Sequence, residues 1–201
     1  MTESPFDLTG RTALVTGGSK GIGAAIARGF AIAGADLFLC ARSEGPLKTT
    51  AEAIRDASGR KVEYTAADMA VRADLERVAR ESVDRLGRID ILVNNAGWNV
   101  PQAIDEIRDE DWTYLVELNL SSVMALTRAI VPGMKRHGWG RVIHISSIMG
   151  LASTAKRNAY SGGRKGDWDI CGDGLGGMGR CRVPLLPGKA VLFSSGVHSA
   201  A

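Results

Sequence analysis

Cysteine is scarce in this chain: Cys40, Cys171 and Cys181 are the only three in 201 residues. Three thiols without metal-ligand spacing exclude a disulfide scaffold and point to a reducing compartment, the cytoplasm. No metal site is assigned. Long apolar runs are also missing. No stretch reaches the ~18 residues of a membrane span, so no transmembrane helix and no membrane partner are expected. The segment Met1 to Gly10 has neither a basic start nor an apolar stretch, and it does not read as a signal peptide. Charge of one sign is modest. The formal net charge is +3, and without a basic cluster nucleic acid is not an expected partner. Hydrophobic residues at 45% and charged residues at 23% are ordinary for a globular domain and exclude wholesale disorder. The length suits one domain with a real core.

Glycine, by contrast, is plentiful and unevenly spread. Residues 1–161 hold 15 glycines, and the 40 residues of 162–201 hold 10. Gly162, Gly163, Gly172, Gly174, Gly176, Gly177 and Gly179 are spaced so tightly that a helix through them is not expected, since each costs about 1 kcal/mol relative to alanine. This shift divides the chain into 1–161 and a divergent tail, 162–201. Before it, apolar strands alternate with helices. Thr12–Thr16, Ala35–Ala41, Lys61–Ala66, Ile89–Asn94 and Arg141–Ile145 read as strands. Gly21 to about Ala33, Leu47–Ala57, Val71–Leu86 and Asp111–Lys135 read as helices, the last interrupted at Pro132 and Gly133. Near-continuous apolar strands between helices imply a parallel sheet covered on both faces, an α/β doubly wound architecture of Rossmann type. The expected strand order is 3-2-1-4-5, and the tail offers no clear sixth or seventh strand.

Between the first strand and the first helix lies Thr16-Gly17-Gly18-Ser19-Lys20-Gly21-Ile22-Gly23. Glycines let the backbone turn tightly and approach a diphosphate, which the N–H groups and dipole of a helix N-terminus favour. A strand-to-helix turn without a ligand is the plainer alternative. Further segments join this loop: Asp68-Met69 after strand three, Asn94-Asn95-Ala96-Gly97 after strand four, Asn119 in the long helix, and Ser146-Ser147 closing strand five, with Tyr160 thirteen residues beyond Ser147. Together they resemble the classical short-chain dehydrogenase/reductase family over about residues 6–161.

The resemblance implies a nicotinamide cofactor held by Gly17, Ser19, Lys20, Gly21, Ile22, Gly23, Arg42, Asp68, Met69, Asn95, Ala96 and Gly97. It places Asp68 at the adenine amino group and Asn94 beside the adenosine ribose. An acidic residue closing the second strand would hydrogen-bond the ribose of NAD. Here the chain reads Ala41-Arg42. Lys20 and Arg42 together could meet a 2′-phosphate by charge-assisted hydrogen bonds, so NADP(H) is expected over NAD(H). The plainer alternative is that both are solvated surface cations, and Asp68 could also cap the following helix.

The implied reaction moves a hydride between nicotinamide and the carbon of a ketone or secondary alcohol, with a proton exchanged at the oxygen. Tyr160 would exchange that proton, Ser147 would hydrogen-bond the substrate oxygen, and Asn119 would hold a relay water. The family pattern is Tyr-x-x-x-Lys, which stacks the two side chains at i and i+4. Here Arg164 holds that place and Lys165 comes one residue late, about 100° round a helix. Arg164 keeps a positive charge but does not release a proton. Trp98, Asn99, Val100 and the segment Met149 to Arg157 are expected near a small, moderately apolar substrate. Trp98 packing on its own loop is the competing reading.

The displaced lysine, the glycine excess and the loss of resemblance suggest a reading-frame change near Gly163. Reading the coding DNA in its other frames tests it. The tail would then uncover a sheet edge, fray the tyrosine helix and leave homo-oligomerisation open. Two alternatives stand beside the NADP(H)-dependent oxidoreductase: an inactive dinucleotide-binding protein, and a protein using only its fold surface, against which the complete glycine loop argues.

Overall fold

The computed structural model describes residues 6–165 in full and the backbone course of 166–173 and 192–198. Five parallel strands form the sheet's frame: β1 (Thr12–Thr16), β2 (Asp36–Ala41), β3 (Val62–Ala66), β4 (Ile91–Asn94) and β5 (Trp139–Ile145). Their order is β3-β2-β1-β4-β5, with β1 paired to both β2 and β4. The apolar strands fill both faces. Ala13, Val15, Leu37, Leu39, Ile91 and Val93 face one core with helices α1 (Gly21–Ile32) and α2 (Glu44–Ser58). Leu14, Phe38, Leu92 and Val142 face the other, with α3 (Arg72–Leu86) and the long helical stretch. Glycine at the ends of α2 and α3, Gly59 at φ +65 and Gly87 at φ +81, stops each helix and returns the chain to the sheet.

The long stretch differs from its sequence reading. It runs as α4 (Asp109–Val116), a π-helical segment (Glu117–Ser121) and α5 (Ser122–Arg136), and Pro132 lies inside α5 without ending it. The irregularity sits one helix earlier, around Asn119. There the Ser122 N–H reaches back to Glu117 O, and the Ser122 hydroxyl satisfies Leu118 O at 2.7 Å. Pro132 is tolerated because packing of Leu126, Ile130, Val131 and Met134 into the core outweighs one lost hydrogen bond. By length and composition Asp109–Arg136 could cross a bilayer, but these apolar side chains are buried against the sheet.

The tail also departs from expectation. Helix α6 (Asn158–Asp173) continues through Gly162 and Gly163. A Cβ at Gly163 would lie 3.0 Å from Asn119 Cβ, so glycine permits α6 to cross the π-helical segment closely, and that packing overrides helix propensity. A sixth strand, β6 (Leu192–His198), pairs antiparallel with β5 from Trp139 to Ile145. The β5 edge is therefore covered, contrary to the expected open edge. Gly174, Gly176, Gly177, Gly179 and Cys181 lie outside the described residues.

Candidate functional site

The strand order reverses between β1 and β4, and a cleft of about 360 Å³ opens there at the strands' C-terminal ends. Thr16 and Asn95 join its two sides. The Thr16 hydroxyl accepts from the backbone N–H of Asn95 and Ala96, both at 2.9 Å, and donates to Val93 O at 3.3 Å. The Asn95 amide donates to Thr16 O at 2.9 Å and Gly17 O at 3.3 Å. The glycine loop is drawn tight over this junction. A Cβ on Gly23 would stand 2.3 Å from Gly17 O and 2.5 Å from Asn95 Nδ2, so only glycine fits.

From the loop, Gly17, Ser19, Lys20, Gly21 and Ile22 line the cleft, joined by Arg42 after β2, Asp68 and Met69 after β3, and Asn95, Ala96 and Gly97 after β4. Gly23 lies beneath the loop as packing. At the N-terminus of α1 the first N–H groups lack intrahelical acceptors and carry partial positive charge. The open backbone cradle and this donor set fit a dinucleotide diphosphate.

Tyr114 on α4 was not singled out by the sequence, because its contacts lie 46 and 72 residues away. Arg42 Nη1 donates to the Tyr114 hydroxyl at 2.7 Å, and that hydroxyl donates to Asp68 Oδ2 at 3.2 Å. Burial pushes the Tyr114 phenol up, Asp68 adds to this, and Arg42 opposes it. The Arg42 guanidinium also lies 5.6 Å from the centre of the Trp98 ring. Asp68 Oδ1 accepts from Ala70 N at 3.0 Å, a turn before α3, and does not cap that helix as the sequence allowed: the capping position is Val71 and takes no side-chain bond. Behind it Asp74 accepts from Asp68 N and Arg77, which hold its carboxyl below the usual range.

A second pocket, about 620 Å³, adjoins the cleft and is lined by Ser147, Tyr160 and Arg164, with Asn99, Met149 and Arg157. Ser147 Oγ accepts from Met149 N at 3.2 Å, so its proton is available to another acceptor. Arg164 is buried beneath Tyr160, with its guanidinium carbon 5.3 Å from the ring centre. Its Nη1 donates to Ile145 O at 2.9 Å, and Ser146 Oγ donates to Arg164 O at 3.0 Å. These two bonds pin α6 to the end of β5. A Cβ on Gly97 would collide with the guanidinium, so the glycine admits Arg164 to the site.

Lys165 is exposed and does not line this pocket. One residue of helical rotation separates it from Arg164, and the site takes the arginine alone. Asn119 is likewise not a lining residue. It is fully buried, its amide donates to Trp98 O and Leu115 O at 2.9 Å each, and its oxygen accepts from Trp98 N at 3.3 Å. The side chain clamps the loop after β4 onto the π-helical segment, which leaves its donors unavailable to a water.

The sequence pattern of the short chain dehydrogenases matches residues 11–166. The chain belongs to the short-chain dehydrogenase family. It is 38% identical over 159 residues to the D-beta-hydroxybutyrate dehydrogenase of Cupriavidus necator, covering 79% of this chain and 61% of that protein. It is 35% identical over 161 residues to a 3-oxoacyl-[acyl-carrier-protein] reductase of Vibrio cholerae, covering 80% of this chain and 64% of the relative. Among solved structures, a 3-oxoacyl (acyl-carrier-protein) reductase from Agrobacterium tumefaciens with NADP bound is similar, with a TM-score of 0.77 and 32% identity over 83% of this chain and 64% of the other. This dehydrogenase-family chain thus spans about three fifths of the length of the curated relatives it matches.

Proposed function

We propose that this chain carries the cofactor cleft and the reacting groups of an NADP(H)-dependent oxidoreductase acting on a small ketone or secondary alcohol. The observation that carries the reading is a shared wall. Ile22, Gly97 and Trp98 line both the dinucleotide cleft and the Ser147–Tyr160 pocket, so a cofactor in one and a substrate in the other would meet there. Gly17, Ser19, Gly21 and Ile22 would hold the diphosphate through backbone N–H groups. Asp68 would accept from the adenine amino group, and Lys20 with Arg42 would meet the 2′-phosphate. NADPH, when bound, supplies the hydride for a carbonyl carbon.

The chain's own groups handle the oxygen. Tyr160 would exchange its hydroxyl proton with the substrate oxygen, and Ser147, whose oxygen accepts from Met149 N, would donate its own proton to the same atom. Arg164 fixes the Tyr160 ring and supplies permanent positive charge. A guanidinium does not pass on a proton, so Tyr160 would be recharged from solvent through the open pocket mouth. Met149 and Ile148 give that pocket apolar surface, while Arg157 adds a cation at its edge.

Loss of NADPH absorbance against a panel of small ketones tests this reading. We expect turnover that Tyr160→Phe reduces by at least ~100-fold, with NADPH affinity unchanged. Turnover equal in the variant would remove Tyr160 from the chemistry.

A further inference from the structure

Arg42 and Trp98 stand on opposite sides of the glycine loop. Arg42 follows β2 and Trp98 follows β4, and β1 lies between those strands. Yet the guanidinium comes within 5.6 Å of the indole centre. Arg42, though exposed, therefore leans across the cleft toward the loop after β4. What holds it there is Tyr114. A guanidinium has no acceptor and a carboxylate no donor, so the hydrogen bonds run in one direction, from Arg42 to the Tyr114 oxygen at 2.7 Å and from the Tyr114 hydroxyl to Asp68 at 3.2 Å. Burial and the Asp68 charge keep that phenol protonated, as the chain of bonds requires. One hydroxyl thus occupies both Arg42 and Asp68, the groups assigned above to the adenosine.

We propose that Tyr114 sets the cofactor preference: its hydroxyl latches Arg42 to Asp68 at the adenosine end of the cleft, so that a 2′-phosphate pairs with Arg42 while the latch stays closed and a ligand without one must open it. This rests on the NADP(H) reading of the cleft. Arg42 spends one of five N–H donors on Tyr114 and keeps the fork that pairs with a phosphate. A ribose with a free 2′-hydroxyl offers no comparable partner, so it meets the full cost of displacing Arg42. Tyr114 touches no reacting atom and acts as a positioning residue.

The test is calorimetric titration of the 201-residue chain with adenosine 2′,5′-bisphosphate and 5′-AMP, which differ only in the 2′-phosphate. The unaltered chain is expected to prefer the bisphosphate by at least ~10-fold. Tyr114→Phe keeps the ring and removes the latch. It should tighten 5′-AMP about fivefold and change the bisphosphate by less than about twofold, so the preference shrinks. Arg42→Ala, at an exposed position, should tighten 5′-AMP similarly while weakening the bisphosphate, and it keeps the test available should Tyr114→Phe not fold. An unchanged preference in Tyr114→Phe, or equal weakening of both probes, would overturn the latch and leave the NADP(H) reading standing. No preference in the unaltered chain would overturn both.

Discussion

His144 is a buried titratable group with no part in the proposed chemistry. It sits on β5, and its Nδ1 accepts from the Asn94 amide at 3.1 Å, which also donates to Thr127 Oγ1 at 3.1 Å. Burial pushes the imidazole down from 6.5 to about 4. The unfolded chain therefore binds more protons than the folded one between about pH 4 and pH 6.5. The stability from this site is fully present above pH 6.5 and is lost as pH falls toward 4, by about 3 kcal/mol. Urea unfolding from pH 7 to pH 4 should show this slope in the natural chain, and His144→Gln should lack it. Cys40 behaves differently, because burial pushes its thiol up to about 12. A thiol reagent should leave it unmodified until the chain unfolds. At position 164, lysine in place of arginine would restore a group able to pass a proton. We expect Arg164→Lys to raise kcat by about 10- to 100-fold, with KM for NADPH little changed. A lower or unchanged kcat would show that fixed charge at 164 is all the site uses.

The helical elements show where the sequence was legible and where it was not. Helices α1, α2 and α3 follow their apolar periodicity, and their starts and stops fall within a few residues of those read from the sequence, with Gly34, Gly59 and Gly87 marking the stops. The π-helical segment was not legible. Its cause is three-dimensional: Asn119 clamps the backbone of Trp98, 21 residues away, and the Ser122 hydroxyl donates to Leu118 O, four residues before it. The same holds for α6, where propensity argues against a helix through Gly162 and Gly163 but Gly163 is the contact with Asn119. Asn119→Ala would leave Trp98 O and Leu115 O without these donors. We expect a loss of about 2–3 kcal/mol in denaturant unfolding, together with reduced NADPH affinity as the loop after β4 loosens. Gly23→Ala should cost about 1–3 kcal/mol by pushing Gly17 and Asn95 apart, read as a lower Tm.

Across the whole molecule, the architecture was legible because the central parallel strands β1, β2 and β4 are buried on both faces and so written as apolar runs, with the more mixed β3 and β5 flanking them. The cleft was legible because its lining falls in short segments at strand ends, each recognisable by residue type: the glycine loop, Asp68-Met69 and Asn95-Ala96-Gly97. What the sequence could not supply is how those segments meet. Tyr114 bridges Arg42 and Asp68 from a helix far along the chain, and no periodicity announces it. Nor could it supply the covering of the sheet edge by β6, which depends on backbone pairing with β5 rather than on side-chain pattern.

The central claim is that the five parallel strands present a working dinucleotide cleft. The most direct measurement is thermal unfolding of the 201-residue chain with NADPH, with NADH and without either. A ligand that binds only the folded chain stabilises it by about 2.7 kcal/mol at a hundredfold excess over Kd. NADPH at that excess should therefore raise Tm by about 5–10 °C, with a smaller shift for NADH at the same concentration. A cooperative transition that neither nucleotide moves would contradict the account.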